Sequence, residues 1–482
     1  MLNEILIYEK SRPGRTGFSL RETRSGDAAV DALIPKRFRR SAPPPLPEIS
    51  EPVLVRHYIE MSNRNHHIDK GFYPLGSCTM KYNPKVNDFA AAFPGFADLH
   101  PMASEEDSQG ALAIMYHLAS LLARITGFAR TTMQPVAGAH CELVGLLVIR
   151  AALTKRGSAR KKILIPDSAH GTNPASVVMA GYDVVQIPST EYGILSAVDV
   201  ARAVDEDTAG IMITNPNTLG LFECEIEQIA KVIHDAGGLL YMDGANLNAL
   251  LGQARPADMG FDMVHFNLHK TFSTPHGGGG PGAGALAVTD ELAPFLPSPM
   301  VEKDGDRYHL DFDRPDSIGR MHSFYGNFAN MVRAYTYIRH LGAPGLKRVA
   351  ENAVVNANYL KEQLKKYYDL PHDRLCMHEF VLSGARQKKR GVRALDIAKR
   401  LLDFGIHAPT IYFPLIVSEA LMIEPTETEA KQTLDRFIET MIKIDKETVD
   451  EKDTVLSAPH NTPVRRLDEV KATKTLDIAY TG

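Results

Sequence analysis

Four short apolar runs each end in residues able to do chemistry. Ile163-Leu-Ile165 is followed by Pro-Asp167-Ser-Ala-His170, and Ile211 to Thr214 by Asn215-Pro-Asn217-Thr218. Leu239 to Met242 runs into Asp243-Gly-Ala245-Asn246, and Met263 to Leu268 into His269-Lys270-Thr271. Taken singly these are ordinary: a His after a strand is a loop residue, an Asp before Gly a turn residue, a Lys a solvated charge. Taken together, they offer an imidazole, polar side chains, a carboxylate and an amine at four strand ends. In open α/β sheets, ligands bind outside the carboxyl ends of the strands, so one cleft can gather all four.

One chemistry uses the whole set. Pyridoxal phosphate requires an amine to condense with its aldehyde, an acid against its ring nitrogen, a flat group over its ring and a cup for its phosphate. Lys270 is the candidate amine and Asp243 the candidate acid; His170 can stack on the ring, and Ala245 is small enough to pack beneath it. The turn Val136-Ala137-Gly138-Ala139-His140 opens a helix running on through Leu143, Leu146, Leu147 and Arg150. Free backbone donors and the positive end of the helix dipole make such a turn an anion site. Two other motifs fail on context. Gly277, Gly279 and Gly282 match G-x-G-x-x-G, but the stretch contains Pro281 and enters the strand-like Ala285 to Val288 instead of a helix. His265 and His269 match H-x-x-x-H, yet on a strand four steps of about 3.3 Å hold the rings too far apart for one ion. No metal site is expected.

These residues need a frame. Between about 130 and 290, apolar runs (with Val184 to Ile187 and Ala285 to Val288 added to those above) alternate with amphipathic stretches such as Glu225 to Ala236. That alternation predicts an α/β fold with a large, mainly parallel sheet covered on both faces. Upstream, Ser104 is positioned to cap a helix with Glu105, Glu106 and Asp107 in its first turn and Gly127 at its end. Downstream, 326–367 reads as helical. A smaller α/β pattern follows, with strands at Cys376 to Leu382, Ile411 to Phe413 and Leu421 to Ile423, and helices at Val392 to Phe404 and Glu427 to Ile444. The expected division is an extended arm over 1–65, a large cofactor domain over 66–330, a smaller domain over 331–445 and a tail over 446–482. The arm carries the Pro-rich Ser41 to Pro47, which favours extended backbone, and the basic Lys36 to Arg40, read as a solvated face.

Composition removes several classes. The 482 residues suggest about three domains or sub-domains. Hydrophobic residues at 44% and charged residues at 23% exclude collagen-like, disordered and coiled-coil chains. A net charge of −4 gives no reason to expect nucleic acid or anionic lipid as partner. The four cysteines are scattered without a C-x-x-C pair, which argues against a disulfide framework. No apolar run approaches the ~20 residues of a membrane span, and the N-terminus does not read as a secretory signal. The expected location is the cytoplasm.

The chemistry-bearing segments also resemble a known family. Asp167-Ser-Ala-His-Gly-Thr-Asn-Pro-Ala-Ser176, Asp243-Gly-Ala-Asn246, Asn267-Leu-His-Lys-Thr-Phe272 and Gly71-Phe-Tyr-Pro-Leu-Gly-Ser-Cys-Thr-Met-Lys-Tyr-Asn-Pro84 are similar to the P-proteins of the glycine cleavage system. The resemblance spans about 60–440 and implies the aspartate-aminotransferase-like, fold type I architecture with pyridoxal 5'-phosphate on Lys270. It implies decarboxylation of glycine and transfer of the aminomethyl group to the lipoyl arm of H-protein. The chain's length matches the lysine-bearing half of a split enzyme. The implied partner is therefore the lysine-less glycine dehydrogenase subunit 1, in a two-plus-two heterotetramer. It further implies that His269 and Thr271 join Ala137, Gly138 and Ala139 around the phosphate, and that Asn215 and Thr218 meet the ring hydroxyl. Tyr73, Ser77 and Arg320 are the candidates for the glycine carboxylate. Two rival readings stay open at this level: another fold type I enzyme, such as an amino-acid decarboxylase or cysteine desulfurase, and a non-catalytic scaffold half.

Overall fold

The apolar runs become neighbouring strands of one seven-stranded sheet: β1 (Arg130–Thr132), β2 (Lys162–Pro166), β3 (Asp183–Ile187), β4 (Thr208–Thr214), β5 (Leu239–Asp243), β6 (Met263–Asn267) and β7 (Gly284–Val288). Their order is β1-β7-β6-β5-β4-β2-β3. Strands β3, β2, β4, β5 and β6 pair in parallel, and β7 runs against both β1 and β6. The computed structural model describes residues 6–17, 33–42, 44–276, 281–476 and 478; Gly277 and Gly279 of the glycine motif lie outside them.

The central strands are buried at almost every position, as expected of a sheet covered on both faces. Because side chains alternate along a strand, Ile211, Ile213, Leu240 and Met242 enter one core layer. Met212, Leu239 and Tyr241 enter the other, beneath the Gly138–Lys155 helix. Parallel pairing brings Pro166, Thr214, Asp243 and Asn267, the last residues of β2, β4, β5 and β6, to one edge.

A second, antiparallel sheet of order β10-β12-β11 is made by β10 (Phe380–Ser383), β11 (Thr410–Ile411) and β12 (Ala420–Ile423). The strand expected from Cys376 starts only at Phe380. Upstream, the backbone is engaged elsewhere: Cys376 N donates to Asn358 Oδ1 and Met377 N to Gly220 O. Tyr412, at φ +60°, ends β11 early. The helix expected from Ser104 begins at Gln109 instead, because Ser104 Oγ accepts from Asp107 N and closes a separate turn; Gly127 ends the helix at φ +84°. The helical run Phe328–Leu364 is interrupted at Gly342 (φ +61°, ψ −179°), two residues before Pro344. The hairpin β8 (Met300–Asp304) and β9 (Arg307–Asp311), like β1, carries too few apolar residues to stand out in the sequence.

The chain divides into two units, Gly71–His460, and Met1–Lys70 with Asn461–Gly482. Both larger sheets and the β8–β9 hairpin belong to the first unit. It also takes in part of the expected tail, since the Lys431–Asp450 helix runs past 445 and the Lys452–Ser457 helix buries Val455. In the second unit, the Pro-rich stretch is followed by the helix Glu51–Asn63, entered through Pro52, and Lys10 pairs with Glu60 at 3.3 Å. Lys36 to Arg40 are exposed. Among the described residues, no helix is long and apolar enough to cross a membrane.

Candidate active site

The strand ends border a cleft of about 170 Å³, lined among others by Ser77, Gly138, Ala139, His170, Thr218, Asp243, Ala245 and Lys270. Asp243 is buried at its floor. Oδ1 accepts from Ala245 N (3.0 Å), Oδ2 accepts from Asn173 Nδ2 (2.9 Å), and His265 Nε2 lies 3.3 Å from Oδ1. Burial pushes this carboxyl up, but the His265 ring, the Asn173 amide and the Ala245 N–H together hold it below the usual carboxylate value. It is a carboxylate prepared to face a cation. Lys270 sits in the helical turn Leu268–Thr271 that follows β6, and its Nζ donates to Ser77 O at 2.7 Å.

His170 is half-buried after β2, with Nδ1 2.8 Å from Thr172 Oγ1 and its ring edge-on to Phe413. Burial holds its pKa below the ordinary histidine value, so the ring that faces the cleft is neutral. The N-terminus of the Gly138–Lys155 helix has no side-chain cap. Ala137 O accepts the first helical bond from Cys141 N, leaving Gly138 and Ala139 at the cleft wall. A Cβ on Gly138 would come within 2.8 Å of Asn267 Nδ2, so only glycine lets the helix start this close to β6.

This donor set fits pyridoxal phosphate. An amine and a buried carboxylate border one cavity with uncapped helix donors at its wall, and two buried lining atoms, Thr214 Oγ1 and Asn267 Oδ1, have no protein partner.

Several expected contacts fall elsewhere. His269 Nδ1 is engaged with Ala283, and its ring packs edge-on to His276. Burial, with His276 and Lys270 nearby, pushes His269 down to about 3. The Thr271 hydroxyl is buried and accepts from Leu247 N. In a helical turn, consecutive side chains diverge by about 100°, so of these three only Lys270 faces the cleft. Asn215 turns its Oδ1 to Glu223 N, and Thr214, Pro216 and Thr218 line the wall in its place; the Thr218 hydroxyl donates to Ser168 O. Tyr73 is stacked on His407 at 4.0 Å, outside the lining. Arg320 is exposed, with its guanidinium over Phe312 and Tyr325. Of the three carboxylate candidates, Ser77 alone lines the cleft.

The segment 71–84 reaches the site because the small sheet and a buried lysine hold it there. Gly76 N donates to Met422 O, and Thr410 Oγ1 donates to Gly76 O. A Cβ on Gly76 would lie 2.3 Å from Met422 Cγ. Lys81, wholly buried, donates to Glu427 (2.8 Å), Thr271 O (2.8 Å) and Tyr337 Oη (3.2 Å). Ser77 and Thr79 are in left-handed backbone at φ +65° and +54°. The residues lining the cleft that sequence reasoning did not single out include Glu142, Thr214, Asn267, His378 and Glu379. Asn267 was legible beside Lys270. His378 and Glu379 carry no local signal, because they enter the cleft just ahead of β10 in the other sheet.

Fold and site together define a fold type I pyridoxal-phosphate enzyme. A solved structure of a glycine decarboxylase (P-protein) of the glycine cleavage system superposes with a TM-score of 0.73 at 21% identity, over 87% of this chain and 95% of that one. Glutamate decarboxylase of Lactobacillus brevis superposes at 0.65 with 14% identity, over 86% and 96%. Residues 23–310 match the family described as glycine cleavage system P-protein, and residues 349–465 match the glycine dehydrogenase C-terminal domain. The chain is 57% identical over 479 residues to the probable glycine dehydrogenase (decarboxylating) subunit 2 of Halalkalibacterium halodurans, covering 99% of this chain and 98% of that protein. It is 56% identical to the same subunit of Chlorobium phaeobacteroides, covering 99% of each. The chain belongs to the glycine cleavage system P-protein family.

Proposed function

We propose that this chain is the catalytic half of a decarboxylating glycine dehydrogenase. It binds pyridoxal 5'-phosphate and glycine, releases CO₂ and passes the aminomethyl group to the lipoyl arm of H-protein, with a lysine-less subunit 1 as its structural partner in a two-plus-two assembly. The reading places it in the cytoplasm, in keeping with its four unpaired cysteines. The observation that carries it is the convergence on one cleft of Lys270, the buried Asp243 and the uncapped helix start at Gly138 and Ala139.

When bound, the cofactor supplies an electron sink that lets a carbon–carboxylate bond break without leaving a localised carbanion. Lys270 provides the amine that anchors it, and the Ser77 carbonyl holds that amine in place. Asp243 keeps a proton on the ring nitrogen. Because Asn173, Ala245 and His265 surround the carboxylate, it stays ionised although buried. His170 would stack its neutral ring on the cofactor, and the small Ala245 in the same lining would leave room for it. Gly138 and Ala139 turn backbone donors toward the phosphate. Ser77, which lines the cleft, would meet the substrate carboxylate. The 71–84 segment contributes Ser77 to the wall that shields the cleft from water.

The test is exchange of labelled bicarbonate into the carboxyl of glycine by the cofactor-loaded chain, with and without subunit 1 and lipoylated H-protein. Exchange that requires both partners supports the reading. Activity of the chain alone on a larger amino acid overturns it in favour of another fold type I enzyme.

A further inference from the structure

Two buried carboxyl groups, Glu379 in the cleft lining and Glu424 beside it, have no task in the proposed function. Phe380 of β10 is paired with Ile423 of β12, so the residues just outside that pair, Glu379 and Glu424, face each other at the end of the small sheet. Both are buried, at 4% and 0% exposure. Their oxygens and a ring nitrogen of His378 lie within 4.8 Å of one another. Glu379 Oε2 accepts from Ser77 N (2.7 Å), and Glu424 accepts from Thr79 N (3.0 Å) and Asn246 Nδ2 (2.7 Å). Among the described residues, neither has a lysine or arginine within ion-pair distance.

The surrounding groups do not supply enough positive charge for two carboxylates. Lys270 faces both and brings one cation. His378 is pushed down to about 3 by burial and stays neutral. Burial pushes up the thiols of Cys78 and Cys376, which also face the pair, so neither adds charge at neutral pH. Burial and mutual repulsion push Glu379 up to about 8, and burial pushes Glu424 up to about 7. Two carboxyl groups this close in a dry site titrate as a unit.

We propose that Glu379 and Glu424 share one proton at neutral pH and that the pair donates the proton which glycine decarboxylation consumes. The donor role rests on the function proposed above; the shared proton does not. The balance requires one such donor. As CO₂ leaves, the electron pair of the broken carbon–carbon bond forms a new bond from the aminomethyl carbon to one sulfur of the lipoyl disulfide. The sulfur–sulfur bond breaks, the disulfide is reduced as the glycine carbon is oxidised, and the departing sulfur takes one proton. Glu379 lines the cleft and can give it, Glu424 hands on its share, and solvent restores the pair.

The experiment measures the cofactor-free and the loaded full chain, as wild type, Glu379→Gln and Glu424→Gln. Glutamine keeps an acceptor for the Ser77 or Thr79 N–H and so separates proton sharing from a merely structural clamp. In the cofactor-free chain, the pair binds a proton in the fold that the unfolded chain does not hold, so its contribution to the melting temperature falls away as pH rises from about 4.5 to about 8. Each glutamine variant flattens that fall, and the carbonyl stretch of a neutral carboxyl, seen by infrared in the wild type near neutral pH, weakens. In the loaded chain with both partners, Glu379→Gln lowers exchange by about a hundredfold and removes the limb of the pH profile near 8. Parallel melting curves, or no neutral carboxyl signal, overturn the shared proton. A shared proton with undiminished exchange in Glu379→Gln overturns the donor role. Absence of exchange in the wild type overturns the proposed function, while the thermal and infrared results still decide the pair.

Discussion

Lys270 Nζ donates at 2.7 Å to the carbonyl of Ser77, a residue 193 positions earlier in the chain. The contact closes the site from two directions, the end of a strand in the large sheet and a segment held by the small one. The same peptide segment donates Ser77 N to Glu379. One loop thus couples the amine to the buried acid pair.

Removing the amine should separate binding from folding. Lys270→Ala is expected to lose turnover and the covalent attachment that borohydride makes permanent. Mass spectrometry of the reduced, loaded chain checks this. The melting temperature of the cofactor-free chain should change little, since the half-buried side chain makes one hydrogen bond.

Replacing Asp243 removes charge while keeping shape. Asp243→Asn is expected to retain cofactor with reduced affinity and to lower exchange by about 10²–10³, the scale of losing one preorganised electrostatic partner. Steady-state exchange at saturating glycine measures it, and a near-normal rate would refute the role assigned to this carboxylate.

Lys81 should matter for stability more than its place in a loop suggests. Lys81→Ala leaves Glu427 buried without its cation, and losing one member of a buried pair costs about 3–5 kcal/mol. Denaturant unfolding of the cofactor-free chain reads this loss. Because Lys81 also holds Thr271 O, the variant should bind cofactor more weakly than its stability alone accounts for.

Acid should weaken the fold through three histidines. His269, His276 and His378 are pushed down to about 3, 4 and 3, each chiefly by burial. The unfolded chain protonates them near 6.5 while the fold keeps them neutral, so stability falls as pH drops below about 6. Each can contribute up to about 1.4 kcal/mol per pH unit. The melting temperature is expected to peak near pH 6, where this acid limb meets the fall due to the Glu379–Glu424 pair, and His378→Asn should flatten the acid side. An unchanged acid slope in that variant excludes its part.

Much of the site was legible one element at a time. Strands β2, β4, β5 and β6 announce themselves because burial on both faces demands continuous apolar runs, and parallel pairing then obliges His170, Asp243 and Lys270 to share an edge. The glycine turn before the Gly138–Lys155 helix is legible for the same kind of reason, since local sequence alone marks an uncapped helix start. The residues flanking Lys270 misled: a one-turn helix sends His269 and Thr271 away from the cleft, and no side-chain period reveals that.

The amino-acid order by itself determined the fold class and the gathering of Lys270, Asp243 and the Gly138 turn at one cleft, because each depends on interactions within one element or between adjacent strands. Tertiary structure alone decided that Ser77, Glu379 and Glu424 meet Lys270. Those contacts depend on where the small sheet and the 71–84 segment come to rest, and long-range packing of that kind leaves no local pattern.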